Sequence, residues 1–93
     1  MSFDFEWDNE KNASNIRKHG VSFEDATRVF YDEFSYMAYD DRDYGEDRFQ
    51  IIGMAYEKIL FIVYTERNEN TIRIISARRA DREESEAYIR NRF

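Results

Sequence analysis

The sequence predicts an α+β domain: a short N-terminal strand and two helices, then a four-stranded antiparallel sheet, then a C-terminal helix. Three observations carry that expectation. The apolar period changes from helical to alternating near Phe34. Connections in the second half are only a few residues long, which implies antiparallel neighbours. Polar residues suited to helix N-termini stand at Asp8, Ser22 and Asp81, each ahead of a helical pattern.

Taken in order, "FDFEW" alternates apolar and acidic residues, so Phe3, Phe5 and Trp7 share one face of a short strand. Asp8 then caps a helix that runs to Gly20, a natural C′ residue, with Lys18 and His19 in the last turn, where cations meet the negative end of the helix dipole. Ser22 starts a second helix, with Asp25 three residues on resembling a capping box and Phe23, Ala26, Val29 and Phe30 as its buried stripe. "FSYMAYDDR" alternates and reads as a strand, "DYGED" as a turn around Gly45, and "RFQIIGMAY" as the next strand. After the tight connection "YEK", the nearly unbroken apolar run "ILFIVYTE" reads as the central strand, covered on both faces. "RNEN" turns the chain into the last strand, "TIRIISARR", and Asp81 caps the final helix.

Ninety-three residues form one domain, spanning 1–93. Eight Phe, seven Tyr and one Trp supply a core despite the many charges. The absence of cysteine excludes disulfides and thiolate metal sites. No stretch is apolar enough for a membrane span and no signal segment opens the chain, so a cytoplasmic domain without a membrane partner is expected. The net charge of −6 argues against a polyanion partner, but it is uneven: residues 1–57 carry six Lys/Arg against 14 Asp/Glu, whereas residues 58–93 carry eight against six. That gives either two surface poles or only solubility.

Candidate chemistry gathers at the ends of the last two strands. One ends in Tyr64, Thr65, Glu66 and Arg67; the other contains Arg73 and ends in Ser76, Arg78 and Arg79. Strict alternation sends Arg73, Ile75, Ala77 and Arg79 to one face and Ile72, Ile74, Ser76 and Arg78 to the other. The second set is more apolar and is assigned to the core, which leaves Arg73 and Arg79 on an open face about 20 Å apart. Such arginines either pair with local acids or bind phosphates, with tyrosines such as Tyr64 stacking bases. His19, the only histidine, is either a general acid or base or a helix-terminal cation. Three glycines do not make a phosphate loop, one histidine without cysteine does not make a conventional metal site, and "DDRDYGED" lacks calcium-loop spacing and reads as a solvated hairpin tip.

The stretches "FEWDNEKNASNIRKHGVSFEDATRVF", "DRFQIIGMAYEKILFIVYTER" and "IRIISARRADREE" follow one another over nearly the whole chain and resemble the BrnT family of toxins. "FEWD", "RKHGVSFEDA", "VYTER" and "RIISARRA" are the most specific pieces. The resemblance implies a RelE-like fold and a metal-independent endoribonuclease, without cofactor, that inhibits growth as the toxin of a type II toxin–antitoxin pair. It also implies a BrnA-type antitoxin with a ribbon-helix-helix-type domain, reaching operator DNA only through that partner and autorepressing the operon. RNA cleavage by 2′-hydroxyl attack needs a base, cations on the phosphorane-like oxygens and an acid for the leaving 5′-oxygen. On the matching motifs Glu66 is the expected base. Arg67, Arg73, Arg78 and Arg79 are expected phosphate clamps, and His19 or Lys18 supplies the acid or a further cation. A non-catalytic corepressor module that binds the antitoxin is the alternative.

Overall fold

The computed structural model describes residues 3–42 and 45–93. The "DYGED" tip falls partly outside that range, at Asp43 and Tyr44. Strand β1 (Asp4–Glu6) leads into helix α1 (Asn9–His19), the short helix α2 (Phe23–Ala26) and a 3-10 segment (Thr27–Tyr31). Strands β2 (Tyr36–Asp40), β3 (Arg48–Ala55), β4 (Lys58–Asn68) and β5 (Thr71–Arg79) follow, then helix α3 (Arg82–Arg92).

Local chemistry sets the helix ends. The Asp8 carboxylate accepts from the N–H groups of Glu10 and Lys11 (2.8 and 3.2 Å), which holds its own pKa below the ordinary value. Gly20 closes α1 in the left-handed region (φ 71°), where a side chain would be strained, and its N–H donates to the Ile16 carbonyl (2.8 Å). Ser22 Oγ accepts from Asp25 N (3.0 Å) as a simple cap, whereas the full reciprocal capping box is at Asp81 and Glu84.

The sheet has five strands, not four, in the order β1-β5-β4-β3-β2. The four expected strands do form the antiparallel meander. The expected lone N-terminal strand instead pairs parallel to β5, Phe5 opposite Ile72, and makes the sheet mixed. The reason is topological: the end of β5 at Thr71–Arg73 has a free edge, and β1 brings Phe5 there with its ring over the core. Phe5, Phe30, Tyr64 and Phe49 form a chain of ring contacts at 5.0–5.6 Å.

The core lies between the sheet and the first helices: Val21, Phe23, Ala26 and Val29 meet Ile51, Leu60, Ile62, Ile72, Ile74 and Ala77. The Val, Leu, Ile and Phe side chains among them each contribute about 1.5–3 kcal/mol by burial. Helix α3 packs over β3 and β4 with Tyr88 fully buried, on the face that carries Phe61 and Arg78.

The strict alternation expected for β5 fails at Ile75. Val63 pairs with Ser76 and Tyr64 with Ile74, so Ile75 is left over as a bulge. The extra residue resets the pleat. Ile72, Ile74 and Ala77 share the core face, with Arg79 at its exposed end opposite Leu60, while Arg73, Ser76 and Arg78 share the other. The expected pairing of Arg73 with Arg79 on one open face is therefore corrected.

Both sheet edges run past their outer strands, and a side chain covers each overhang. Beyond β1, Asn15 of α1 serves Ala77: its Nδ2 donates to the Ala77 carbonyl (2.7 Å) and its Oδ1 accepts from Ala77 N (3.2 Å). Beyond β2, which pairs with β3 only as far as Ile52, Asp32 Oδ2 accepts from Met54 N (2.8 Å). An edge strand left bare is costly and adhesive, and these two residues replace the missing strands.

Candidate functional site

The Asn15 bond places α1 alongside the bulged part of β5 and leaves a groove of about 210 Å³ between them. Lys11, Ser14, Lys18 and His19 line the helical wall; Ile75 and Ser76 line the strand wall. The spacing from residue 11 through 14, 15, 18 and 19 puts these side chains on one stripe of the helix. Lys11, Lys18 and His19 are exposed, and no hydrogen bond or ion pair engages their side chains among the described residues. Lys18 and His19 also stand in the last turn, where positive charge is stabilised by the helix dipole.

The strand wall adds cations whose partners are already chosen. Ser76 lies between Arg73 and Arg78 on its face of β5. Arg73 Nη1 bonds Glu6 Oε2 at 2.7 Å, and Arg67 Nε approaches the same oxygen at 3.9 Å. Arg78 makes a two-pronged bond to Glu84 (2.8 and 2.9 Å), donates to the Arg79 carbonyl (3.1 Å) and lies 4.2 Å from the Phe61 ring centre. The Glu84 bond raises Arg78 above the ordinary guanidinium value. Arg78 therefore fastens α3 to the sheet, a planar fork holding a carboxylate.

The residues expected from sequence do not converge. Glu66 and Arg67 sit at the β4–β5 turn, where Glu66 pairs with Ile72 on the core-side face and Arg67 is the extra residue of a bulge, without a cross-strand register partner. Arg79 is exposed at the opposite end of β5. Tyr64, expected to stack on bases, is 3% exposed, stacks on Phe49 and is pushed up to about 12 by burial, so its ring belongs to the core. Of the expected set, Lys18 and His19 are brought together beside Ser76, which the sequence reading assigned to the core face, and with Lys11 and Ser14 as neighbours that it missed. The i, i+7 spacing of Lys11 and Lys18 was the available signal. The groove itself depends on the Ile75 bulge, which periodicity does not reveal. Among the described residues no group of three or more His, Asp or Glu side chains is placed to hold a metal ion.

A family model described as the ribonuclease toxin BrnT of type II toxin–antitoxin systems matches residues 7–84, which include both walls of this groove. The chain belongs to the BrnT family. Membership in this family of ribonuclease toxins implies an RNA substrate and an antitoxin partner. Among solved structures, the crystal structure of the Brucella abortus ribonuclease toxin BrnT is 24% identical, with a TM-score of 0.67, covering 87% of this chain and 100% of that one. At that identity the likeness speaks for the fold. No curated protein matches the chain. The RelE-like label is narrower than this: the antiparallel meander is present, but within a mixed five-stranded sheet. No helix among the described residues is long and apolar enough to cross a membrane.

Proposed function

We propose that this BrnT-family chain is an endoribonuclease toxin that cleaves RNA in the groove between α1 and β5, by 2′-hydroxyl attack and without a metal ion. The observation that carries this reading is the convergence of the only histidine with Lys11 and Lys18 opposite Ser76. His19 takes the 2′-hydroxyl proton as the O2′–P bond forms. Lys11 and Lys18 neutralise the non-bridging oxygens, and the Lys18 ammonium gives a proton to the 5′-oxygen as the P–O5′ bond breaks. The products are a 2′,3′-cyclic phosphate and a 5′-hydroxyl. A BrnA-type antitoxin, with a ribbon-helix-helix-type domain that reaches operator DNA and autorepresses the operon, would meet the acidic first part of the chain through its own basic segment.

The test is cleavage of a short RNA in EDTA with the product ends identified. His19→Gln should slow the reaction by roughly 100- to 10,000-fold, while Glu66→Gln stays near the parent rate. The reverse order would move the site to the β4–β5 turn and overturn the assignment. The corepressor reading draws on one observation, that Arg67, Arg73 and Arg78 are already engaged by Glu6 and Glu84. Expression without the antitoxin separates the two: growth arrest that needs His19 supports the enzyme, and no arrest with tight antitoxin binding supports the module.

A further inference from the structure

A second cationic cleft lies two strands across the sheet from β5, where β3 outruns β2. It has a volume of about 350 Å³ and is bordered by Arg28, Tyr31, Tyr56 and Arg92, with Asp32 and Met54 beneath. The sequence reading singled out none of these four for chemistry.

Like Lys11 and Lys18 in the first groove, its two arginines stand outside the ion pairs formed among the described residues. This chain has 20 Asp and Glu against 14 Lys and Arg, so acidic partners abound. Yet neither Arg28 nor Arg92 forms an ion pair with a carboxylate among the described residues. Both are held by rings: Arg28 lies 5.2 Å from the Tyr56 ring centre and Arg92 lies 5.0 Å from that of Phe34. Arg92 Nη1 also stands 3.5 Å from Tyr88 Oη. The one carboxylate in the cleft, Asp32, accepts from Met54 N, Phe34 N and Tyr88 Oη at 2.6–3.0 Å, and the Arg92 charge attracts it without a direct ion pair.

The rings are presented as well as exposed. Tyr31 is 54% and Tyr56 58% exposed. Tyr31 is steadied by edge contact with Phe3 and Phe5, and its Oη accepts from Phe3 N (3.3 Å). Tyr56 stands in the two-residue β3–β4 turn at φ 51°, a backbone position that a bulky residue occupies only under strain. Two guanidiniums lining one cleft suit a phosphate, two half-exposed rings suit a base, and the volume suits a ligand of about nucleotide size.

We propose that this cleft is a nucleotide-binding subsite, with Arg28 and Arg92 on a phosphate and Tyr31 and Tyr56 against the base. The ligand is a ribonucleotide, either free or as one residue of a single-stranded RNA. The assignment does not rest on cleavage in the α1–β5 groove. An acidic peptide is the competing occupant, but carboxylates alone do not use the two exposed rings.

The experiment is an NMR and calorimetric titration of the full chain with adenosine 5′-monophosphate, with inorganic phosphate and with a hexaglutamate peptide as comparisons. Adenosine monophosphate should bind at least about tenfold more tightly than phosphate and shift the Tyr31 and Tyr56 signals. Arg28→Gln should weaken it about tenfold or more, as should Tyr56→Ala, while Arg82→Gln, which removes a remote exposed charge, leaves it unchanged. Unaltered binding in Arg28→Gln, equal loss in Arg82→Gln, or displacement of the nucleotide by hexaglutamate would each overturn the subsite. Competition by a 2′-O-methyl oligonucleotide names its source: displacement points to RNA, persistence to a free nucleotide, and both support the shared chemistry. A chain that binds the nucleotide but never cleaves RNA leaves this inference standing and removes only the cleavage reading.

Discussion

Asn15 satisfies both backbone groups of Ala77 across a sequence separation of 62 residues, and its Nδ2 also donates to the Val21 carbonyl at 2.8 Å. One buried amide thus joins α1, the α1–α2 connection and the edge of β5. Asn15→Asp keeps the shape but turns the donor into an acceptor facing two carbonyl oxygens. The two lost donor bonds, to the Val21 and Ala77 carbonyls, predict a loss of about 2–4 kcal/mol, read as a fall in urea midpoint at unchanged slope. Stability within about 0.5 kcal/mol of the parent would show that water replaces the amide.

Asp32 makes the equivalent seal at the other edge, and its charge gives that seal a pH dependence. Burial alone raises its pKa, but the Tyr88 hydroxyl, the Phe34 and Met54 N–H groups and nearby Arg92 outweigh it and hold the carboxyl below 3.8. A folded-state value below the unfolded one contributes stability that is present above the unfolded value and lost as pH falls through the folded value. Asp32→Asn should cost about 1–3 kcal/mol at pH 7. The gap between variant and parent should then narrow below about pH 4. Denaturant titrations at pH 7 and pH 3 measure both, and a gap of constant size would mark the effect as packing rather than charge.

Gly53 of β3 lies close against Val29 of the 3-10 segment and the residues that follow that segment. A Cβ there would stand 2.8 Å from Val29 Cγ1, 2.9 Å from Ser35 Cβ and 3.2 Å from Asp32 Oδ2. Gly53→Ala should therefore destabilise by about 1–3 kcal/mol, as overpacking does. Adding Val29→Ala should cost less in that background than in the parent, because the two changes share one space. Strict additivity of the two in a double-mutant cycle would contradict this packing account.

The β3–β4 turn contains a removable strain. Tyr56 and Glu57 both have positive φ (51° and 65°), the pattern of the type I′ hairpin turn that favours Asn and Gly. Glu57→Gly should raise stability by up to about 1 kcal/mol, visible as a Tm increase of a few degrees. A lower Tm would show that Glu57 makes a compensating contact.

Much of the architecture is legible in the sequence because it is fixed locally. Asp8, Gly20, Ser22 and Asp81 set helix ends through backbone bonds a few residues away, and those assignments agree with the structure. The change of period at Phe34 and the short turns order the four meander strands in the same way, since alternation and turn length are short-range properties. The motif pieces around "RKHG" and "RIISARRA" also suffice for the family, and the matched span contains them.

What only the tertiary structure decided depends on partners far apart in the chain. The β1–β5 pairing is parallel and non-local, with Phe5 opposite Ile72, and no local pattern encodes it. The single extra residue at Ile75 exchanges the faces of every later side chain in β5, which a period-two reading cannot anticipate. That one residue separates Arg79 from Arg73 and puts Arg78 against Glu84. It also opens Ser76 toward Lys18 and His19. The sequence by itself thus determined the elements, the family and the types of side chain available. The fold decided which of them meet, because a site is a set of long-range contacts.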